Sequence, residues 1–389
     1  MSRWTKVALG DLLRRSDEPA IIDPDAEYHE VTIKLWGKGV VSRRKVRGGE
    51  VLTPRRVART NQLILSKIDA RNGAIGLVPP ELDGAIVSND FPSFDFKDPS
   101  RCHPGFLGWL VRSAPFVELC KASSEGTTNR VRIKEDRFLS QEIRLPPYDK
   151  QESLYAQLEV LAERTRQIEA HLDAVEKDSL RLLVTMATRF DISGEQRQIS
   201  GWRQRTIADI AAMALCPETV DINRSYPNVG ILSYAKGIFG KAPIEGATTS
   251  AKTLYRIKSG QFIYSRLFAF EGAYALVPDK FDGCYVSNEF PTFDVNEDLA
   301  SAKFLMTLFM SENDWHEMRA STKGVGDRRL RIQPEHILSR AILLPPRSEM
   351  ARIDALFDCH FDLKAKHAAI RQSNAALLPA TLERMFASA

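Results

Sequence analysis

Two stretches of this chain are copies of each other. Residues 66–95 read SKIDARNGAIGLVPPELDGAIVSNDFPSFD and residues 265–294 read SRLFAFEGAYALVPDKFDGCYVSNEFPTFD. At a constant offset of 199 and without a gap, 16 of the 30 positions are identical, where unrelated sequences of ordinary composition would share about two. The same offset pairs Arg130, Arg132 and Ile133 with Arg329, Arg331 and Ile332, and Leu145-Pro-Pro with Leu344-Pro-Pro. At an offset of 198, Asp11, Tyr28, Val31, Lys38 and Gly39 pair with Asp209, Tyr226, Val229, Lys236 and Gly237. A repeat this long is too large for a solenoid unit, so the chain of 389 residues divides into two homologous halves rather than an array.

Within the first half, 31–95 is rich in β-branched and aromatic residues interrupted by Gly, Pro and Asn-Asp, which predicts several short strands. Pro104 to Lys121, with Phe106, Leu107, Leu110, Val111 and Val117, predicts one helix packed on that sheet. After Leu145-Pro-Pro the pattern changes. Leu154, Leu158, Leu161, Thr165, Ile168, Leu172, Val175, Ser179, Leu182 and Met186 follow spacings of 4 and 3, the seam of a coiled coil. In the second half Ile353, Leu356, His360, Leu363, His367, Ile370, Asn374 and Leu377 keep that spacing with polar residues mixed in, which fixes register and partner at some cost in stability. The expected fold is α/β (α+β): two homologous globules separated by two long helices that form an antiparallel coiled coil in a pseudo-two-fold arrangement. The expected boundaries are 1–148 for the first globule, 149–192 for the central helix, 193–347 for the second globule and 348–389 for the C-terminal helix.

Composition excludes little more. Apolar residues at 43% and charged residues at 27% are those of a globular protein. The net charge of +4 is too small for a polycation, so any nucleic-acid binding has to come from local clustering. The five Cys at 102, 120, 216, 284 and 359 include no C-x-x-C pair, and an odd count without a secretory signal fits thiols in a reducing, cytoplasmic compartment. No run of 18 apolar residues suggests a membrane span.

The most skewed charge lies between residues 34 and 59: Lys34, Lys38, Arg43, Arg44, Lys45, Arg47, Arg55, Arg56 and Arg59 against the single acid Glu50. The matching stretch carries Lys236, Lys241, Lys252, Arg256, Lys258 and Arg266, and Lys67 is the counterpart of Arg266. Such a stripe suits phosphate neutralisation, and Arg can also bridge guanine O6 and N7; the plainer alternative is a solvated charged face. A second cluster comprises Asn129, Arg130 and Arg132, with Arg328, Arg329 and Arg331 in the other half. It follows Gly126 and Gly324 in loops of small residues that could approach a phosphate backbone closely, or simply be β-turns.

Catalytic motifs are not found. Leu145-Pro-Pro-Tyr148 is similar to the Asn/Asp-Pro-Pro-Tyr motif of amino-methyltransferases, but leucine cannot accept the hydrogen bond that the first residue of that motif accepts, and the other half reads Leu-Pro-Pro-Arg347. No phosphate-binding glycine loop and no Gly-x-Ser-x-Gly elbow occurs. His360 and His367 lack further metal ligands nearby, and Asp69, Asp83 and Asp95 are only partly repeated, at Asp282 and Asp294.

Ser66-Lys-Ile with 73–79, Asp83-Gly, Ser88-Asn-Asp-Phe and Leu145-Pro-Pro before a long helix are followed by their copies 199 residues later. With Leu377-Leu-Pro-Ala-Thr-Leu-Glu-Arg-Met-Phe386 at the end, the chain resembles the DNA-specificity (S) subunit of type I restriction-modification systems along its whole length. The resemblance implies two target-recognition domains, each reading half of a split, asymmetric target in double-stranded DNA, and a helical spacer that docks two modification methyltransferase subunits and, in a full system, restriction subunits. The half-sites would face one side of the duplex when about one turn, roughly 34 Å, apart. It implies no catalysis and no cofactor on this chain, with S-adenosylmethionine, ATP and Mg on the partners. The histidines of the second seam and the short tail after Phe386 depart from the family pattern at the docking surface. Outside that resemblance, a stand-alone DNA methyltransferase or nuclease, or a protein-binding adaptor, would fit the same soluble two-domain pattern.

Overall fold

The computed structural model describes residues 4–126, 131–189, 192–321 and 331–386. The chain forms two compact units, one of residues 1–170 with 369–389 and the other of residues 171–368. Each unit therefore contains a globule, the near part of one long helix and the far part of the other.

Among the described residues the first unit carries two four-stranded sheets. One has the strand order Leu13–Ser16, Ser93–Phe96, Leu63–Leu65, Ile75–Leu77; the other has Val40–Arg47, Glu27–Ile33, Ala85–Val87, Arg56–Ala58. The strand Thr5–Ala8 pairs antiparallel with Glu142–Leu145, bringing the start of the globule against its end. The second unit repeats the plan with Ala211–Met213, Thr292–Val295, Phe262–Tyr264, Tyr274–Leu276 in one sheet, and Arg203–Thr206 pairs with Ala341–Leu344. Its other sheet has five strands, because Pro217–Thr219 adds to the edge where the first unit has only the Pro19–Arg56 bridge.

Among the described residues, the apolar alternation of these short strands builds two cores in the first unit and three in the second. In the first unit, Leu63, Leu65, Ile75 and Phe94 face Phe106, Leu107, Leu110 and Phe116 of the helices, while Val31, Ile33, Val40, Ile64 and Val87 form a separate cluster under the second sheet. The helix expected over Pro104 to Lys121 is two helices, Pro104–Leu110 and Ala114–Ala122. Pro115 is the reason: without an N–H, and with a ring that clashes one turn back, it belongs in a first helical turn and not in a helix interior.

The long helices run Tyr148–Thr188 and Arg347–Phe386, 41 and 40 residues. Within the first unit they are antiparallel: Leu154 and Leu158 share a cluster with Leu382 and Phe386, while Glu169, a few turns on, meets Arg371 and Asn374. Within the second unit Glu176 meets His367, Ser179 meets His360, and Leu183 and Ala187 share a cluster with Ile353 and Phe357. The expected seam is occupied at only one of its two positions per heptad. Leu154, Leu158, Leu172 and Ile353 are buried, and Leu161, Leu356 and Leu363 are half-buried, but Ile168, Val175, Leu182, Ile370 and Leu377 are exposed. The seven-residue repeat holds at one of its two positions: Leu158, Thr165, Leu172 and Ser179 on the first helix, and Ile353, His360, His367 and Asn374 on the second, are buried or half-buried. Beyond Ser179 the buried residue is Leu183, where Leu182 was expected.

Candidate nucleic-acid interface

The strand Glu27–Ile33 and the edge strand Val40–Arg47 form a two-stranded ribbon that extends one sheet of the first globule. Val40 and Val46 are buried, whereas Ser42, Arg43, Arg44, Lys45 and Arg47 are exposed. The ladder breaks between Glu30/Val31, where Glu30 pairs with Arg44 but Val31 with Ser42. Arg43 is thus the additional residue of a β-bulge, a device that bends a strand and re-aims its side chains.

At one end the ribbon is closed by a tight tip. A Cβ on Gly48 would lie 1.9 Å from the Asp23 carbonyl oxygen, so only glycine fits; the Gly48 N–H donates to the Ala26 carbonyl at 2.9 Å, and the Asp23 N–H to the Tyr28 hydroxyl at 2.9 Å. At the other end the connecting turn places Trp36 at φ +60°, 70% exposed, with its N–H donating to the Asn72 carbonyl at 2.9 Å. Lys38 beside it lines a cleft of about 960 Å³ together with Trp109, Arg112, Asn374 and Leu378, on the long-helix side of the unit.

The second unit repeats this apparatus. Ser225–Ile231 and Ile238–Glu245 form the ribbon, with the ladder broken between Tyr226/Asn228. A Cβ on Gly246 would meet the Asp221 carbonyl oxygen at 2.0 Å, the Asp221 N–H donates to the Tyr226 hydroxyl at 2.7 Å, and Tyr234 takes the left-handed turn at φ +63°. Lys241 is exposed on the edge strand, and Lys252, Arg256 and Lys258 are exposed nearby; Lys236 lies 5.3 Å over the Tyr234 ring.

Many cations of the first stripe are neutralised by acids from elsewhere in the sequence. Arg44 Nε donates to Glu30 at 2.9 Å and Arg55 to the same carboxylate at 3.3 Å, and the Arg44 hydrogen bond holds the Glu30 carboxyl below the usual carboxylate range. Arg56 pairs with Asp17 and donates to Asn89, and Arg59 pairs with Glu18, whose carboxyl that hydrogen bond lowers. Lys45 is 3.8 Å from Glu27. Lys34, Lys38, Arg43 and Arg47 form no ion pair or hydrogen bond through their side chains among the described residues.

Other named cations have structural partners. Lys67 is half-buried and 2.7 Å from Glu135, and its counterpart Arg266 donates to Gln333. Arg132 pairs with Asp90 at 3.0 Å as Arg331 pairs with Glu289 at 3.0 Å, the same clamp in both units. Asn129, Arg130, Arg328 and Arg329 lie outside the described residues. Asp83 accepts from the Thr60 N–H and Asp282 from the Ser259 N–H, and Asp95 and Asp294 accept from Gln62 and Gln261, so these acids hold turns and strands. Among the described residues no group of three His, Cys, Asp or Glu is arranged to hold a metal ion, and no helix is long and apolar enough to cross a membrane.

The bulges, the obligate glycines and the left-handed aromatic turns escape sequence reading. Their only trace is that Tyr28, Gly39 and Gly48 recur 198 residues later as Tyr226, Gly237 and Gly246.

No family model matches the sequence, and no curated protein is similar to it in sequence. Solved structures are similar in fold. The HsdS subunit from Thermoanaerobacter tengcongensis matches with a TM-score of 0.52 at 20% identity over 99% of this chain and 97% of that one. A chain from a structure described as the basis of complex assembly and conformational transition of the type I R-M system matches with a TM-score of 0.60 at 21% identity, over 98% of this chain and 95% of that one. Two globules with repeated strand order, two long helices and near-complete coverage in both directions give this chain the fold of an HsdS subunit, the S subunit of type I restriction-modification systems.

Proposed function

We propose that the chain is a non-catalytic, sequence-specific DNA-binding subunit that reads a bipartite, asymmetric target in double-stranded DNA. It directs two modification methyltransferase subunits, and restriction subunits where a system has them, to that target. The observation that carries this reading is the pair of equivalent ribbons in an HsdS fold: one backbone presented twice, with different exposed side chains. A split target needs two readers that are alike in frame and unlike in surface. Residues 1–148 and 193–347 are the readers, and 149–192 and 348–389 are the spacer and docking helices. S-adenosylmethionine, ATP and Mg act on the partner subunits, and the complex works in the cytoplasm on the nucleoid.

Methylome sequencing of cells carrying this gene with its methyltransferase tests the proposal. One split motif is expected, present only when both are expressed. Methylation unchanged by deleting either globule refutes it, and turnover of cofactor by the purified chain alone would favour a stand-alone enzyme. DNA affinity that is absent or insensitive to salt would favour a protein-binding adaptor.

A further inference from the structure

The two ribbons differ where they are exposed and agree where they are buried. In the inner strands Tyr28, Val31 and Ile33 match Tyr226, Val229 and Ile231, and the edge strands keep apolar residues at Val40 and Val46 opposite Ile238 and Ile244. Yet none of the eight edge-strand positions is identical: VVSRRKVR stands against IFGKAPIE. Drift on a solvated face would change side chains too, but it would not require a bulged edge strand and the same obligate glycine tip to be kept beneath them. What is kept is a bulged ribbon on a glycine tip; what changes is where the bulge falls and the chemistry the edge presents.

A two-stranded ribbon fits the major groove of B-form DNA. The first presents Arg43, Lys45 and Arg47, of which Arg43 and Arg47 have no protein partner among the described residues, whereas Arg44 is committed to Glu30. The second presents Lys241, Ala242 and Pro243, with the bulge falling at Ala242-Pro243, one of the few places a sheet tolerates proline. Arginine forks onto guanine O6 and N7, while small apolar groups contact the thymine methyl.

We propose that the bulged ribbon of each unit is its groove-reading element. Arg43 and Arg47 direct the first unit to a guanine-containing half-site, and Ala242 and Pro243 direct the second to a half-site that is A·T under the ribbon. This rests on the DNA-reading function proposed above and goes further by naming the element and the base class that each half reads.

The test is selection of bound duplexes from a randomised DNA library by the full-length chain, followed by sequencing. Wild type should enrich a split motif with guanine in one half. Arg43→Ala, at an exposed position that threatens no core, should reduce guanine preference at one position of that half by about ten-fold and leave the other half unchanged. Exchanging the edge, with Arg43→Lys, Arg44→Ala, Lys45→Pro and Arg47→Glu, should convert the first half toward the second, with circular dichroism confirming the fold. A split motif that neither variant alters overturns the ribbon assignment while leaving DNA reading intact. Absence of any motif with wild type overturns both.

Discussion

Replacing Phe386 with alanine should destabilise the first unit specifically. The ring is fully buried at the end of the last helix, with its centroid 6.4 Å from Trp4 and 5.8 Å from Phe106, both edge-on, and Leu382 one turn before it lies in the same core. Removing such a side chain costs about 3–5 kcal/mol from lost transfer energy and the cavity left behind. At about 2–4 °C per kcal/mol for a unit of this size, that lowers its melting transition by roughly 6–20 °C. The second unit offers an internal comparison. At the offset of 199 its equivalent residue is Ala187, and Ala187 and Trp202, the counterpart of Trp4, line a cleft of about 380 Å³. Calorimetry would follow the two units, and tryptophan emission would report on Trp4. A shift below about 3 °C, or one confined to the second unit's transition, would refute the assignment of Phe386 as the residue that locks the last helix onto the first globule.

Three further outcomes follow from the same geometry. Gly48→Ala should disrupt the first ribbon tip, because the added methyl collides with backbone at 1.9 Å; hydrogen exchange at Ala26 and Gly48 should accelerate while the Leu63–Leu65 strand stays protected. Burial, with a smaller contribution from Lys364, lowers the His360 pKa below its usual 6.5. The unfolded chain then binds the proton more readily, so this stabilisation is complete above about pH 6.5 and is lost as pH falls. His360→Gln should flatten the second unit's pH–stability curve on that acidic side, and an unchanged curve would refute the assignment. Burial pushes the Cys102 and Cys120 thiols up to about 12, so alkylation read by mass spectrometry should label the exposed Cys216 and Cys359 first and reach the buried pair only on unfolding.

The repeat made the two-globule, two-helix plan legible from sequence, since a duplicated stretch must fold twice in the same way. The coiled-coil phase was less legible, for a reason that lies in the helix itself. A 4-3 spacing can be traced through Ile168, Val175 and Leu182 because apolar residues stand there. Sequence alone does not reveal which of the two apolar positions of each heptad the partner helix covers. Here the partner covers one of the two positions, and polar contacts mark it: Asn374 Nδ2 donates to the Thr165 carbonyl at 3.0 Å and to Glu169 at 2.8 Å, and His367 lies 2.9 Å from Glu176. The polar residues expected to fix register and partner in the second seam are among those that the first helix pairs with.

The site was legible as composition but not as availability. Between residues 34 and 59 only Glu50 opposes nine cations in sequence, yet the fold brings Asp17, Glu18 and Glu30 onto Arg56, Arg59, Arg44 and Arg55. Those acids lie on neighbouring segments, outside or at the edge of any local count. Two arginines folded onto one carboxylate are held in place and partly neutralised, which makes them supports for the ribbon rather than its reading groups. The residues left to meet a nucleic acid are those the fold does not consume, and on the edge strand these are Arg43, at the bulge, and Arg47, before the glycine tip. In the second ribbon one lysine and a proline-containing bulge stand on the equivalent edge strand, so the difference between the halves is one of contact chemistry as well as of charge. Six cations against two acids within 27–47, compared with two against one within 225–245, mean that the first unit should contribute the larger share of any salt-dependent attraction to phosphate. On the proposed reading, the second would rely more on shape and apolar contact to distinguish its bases.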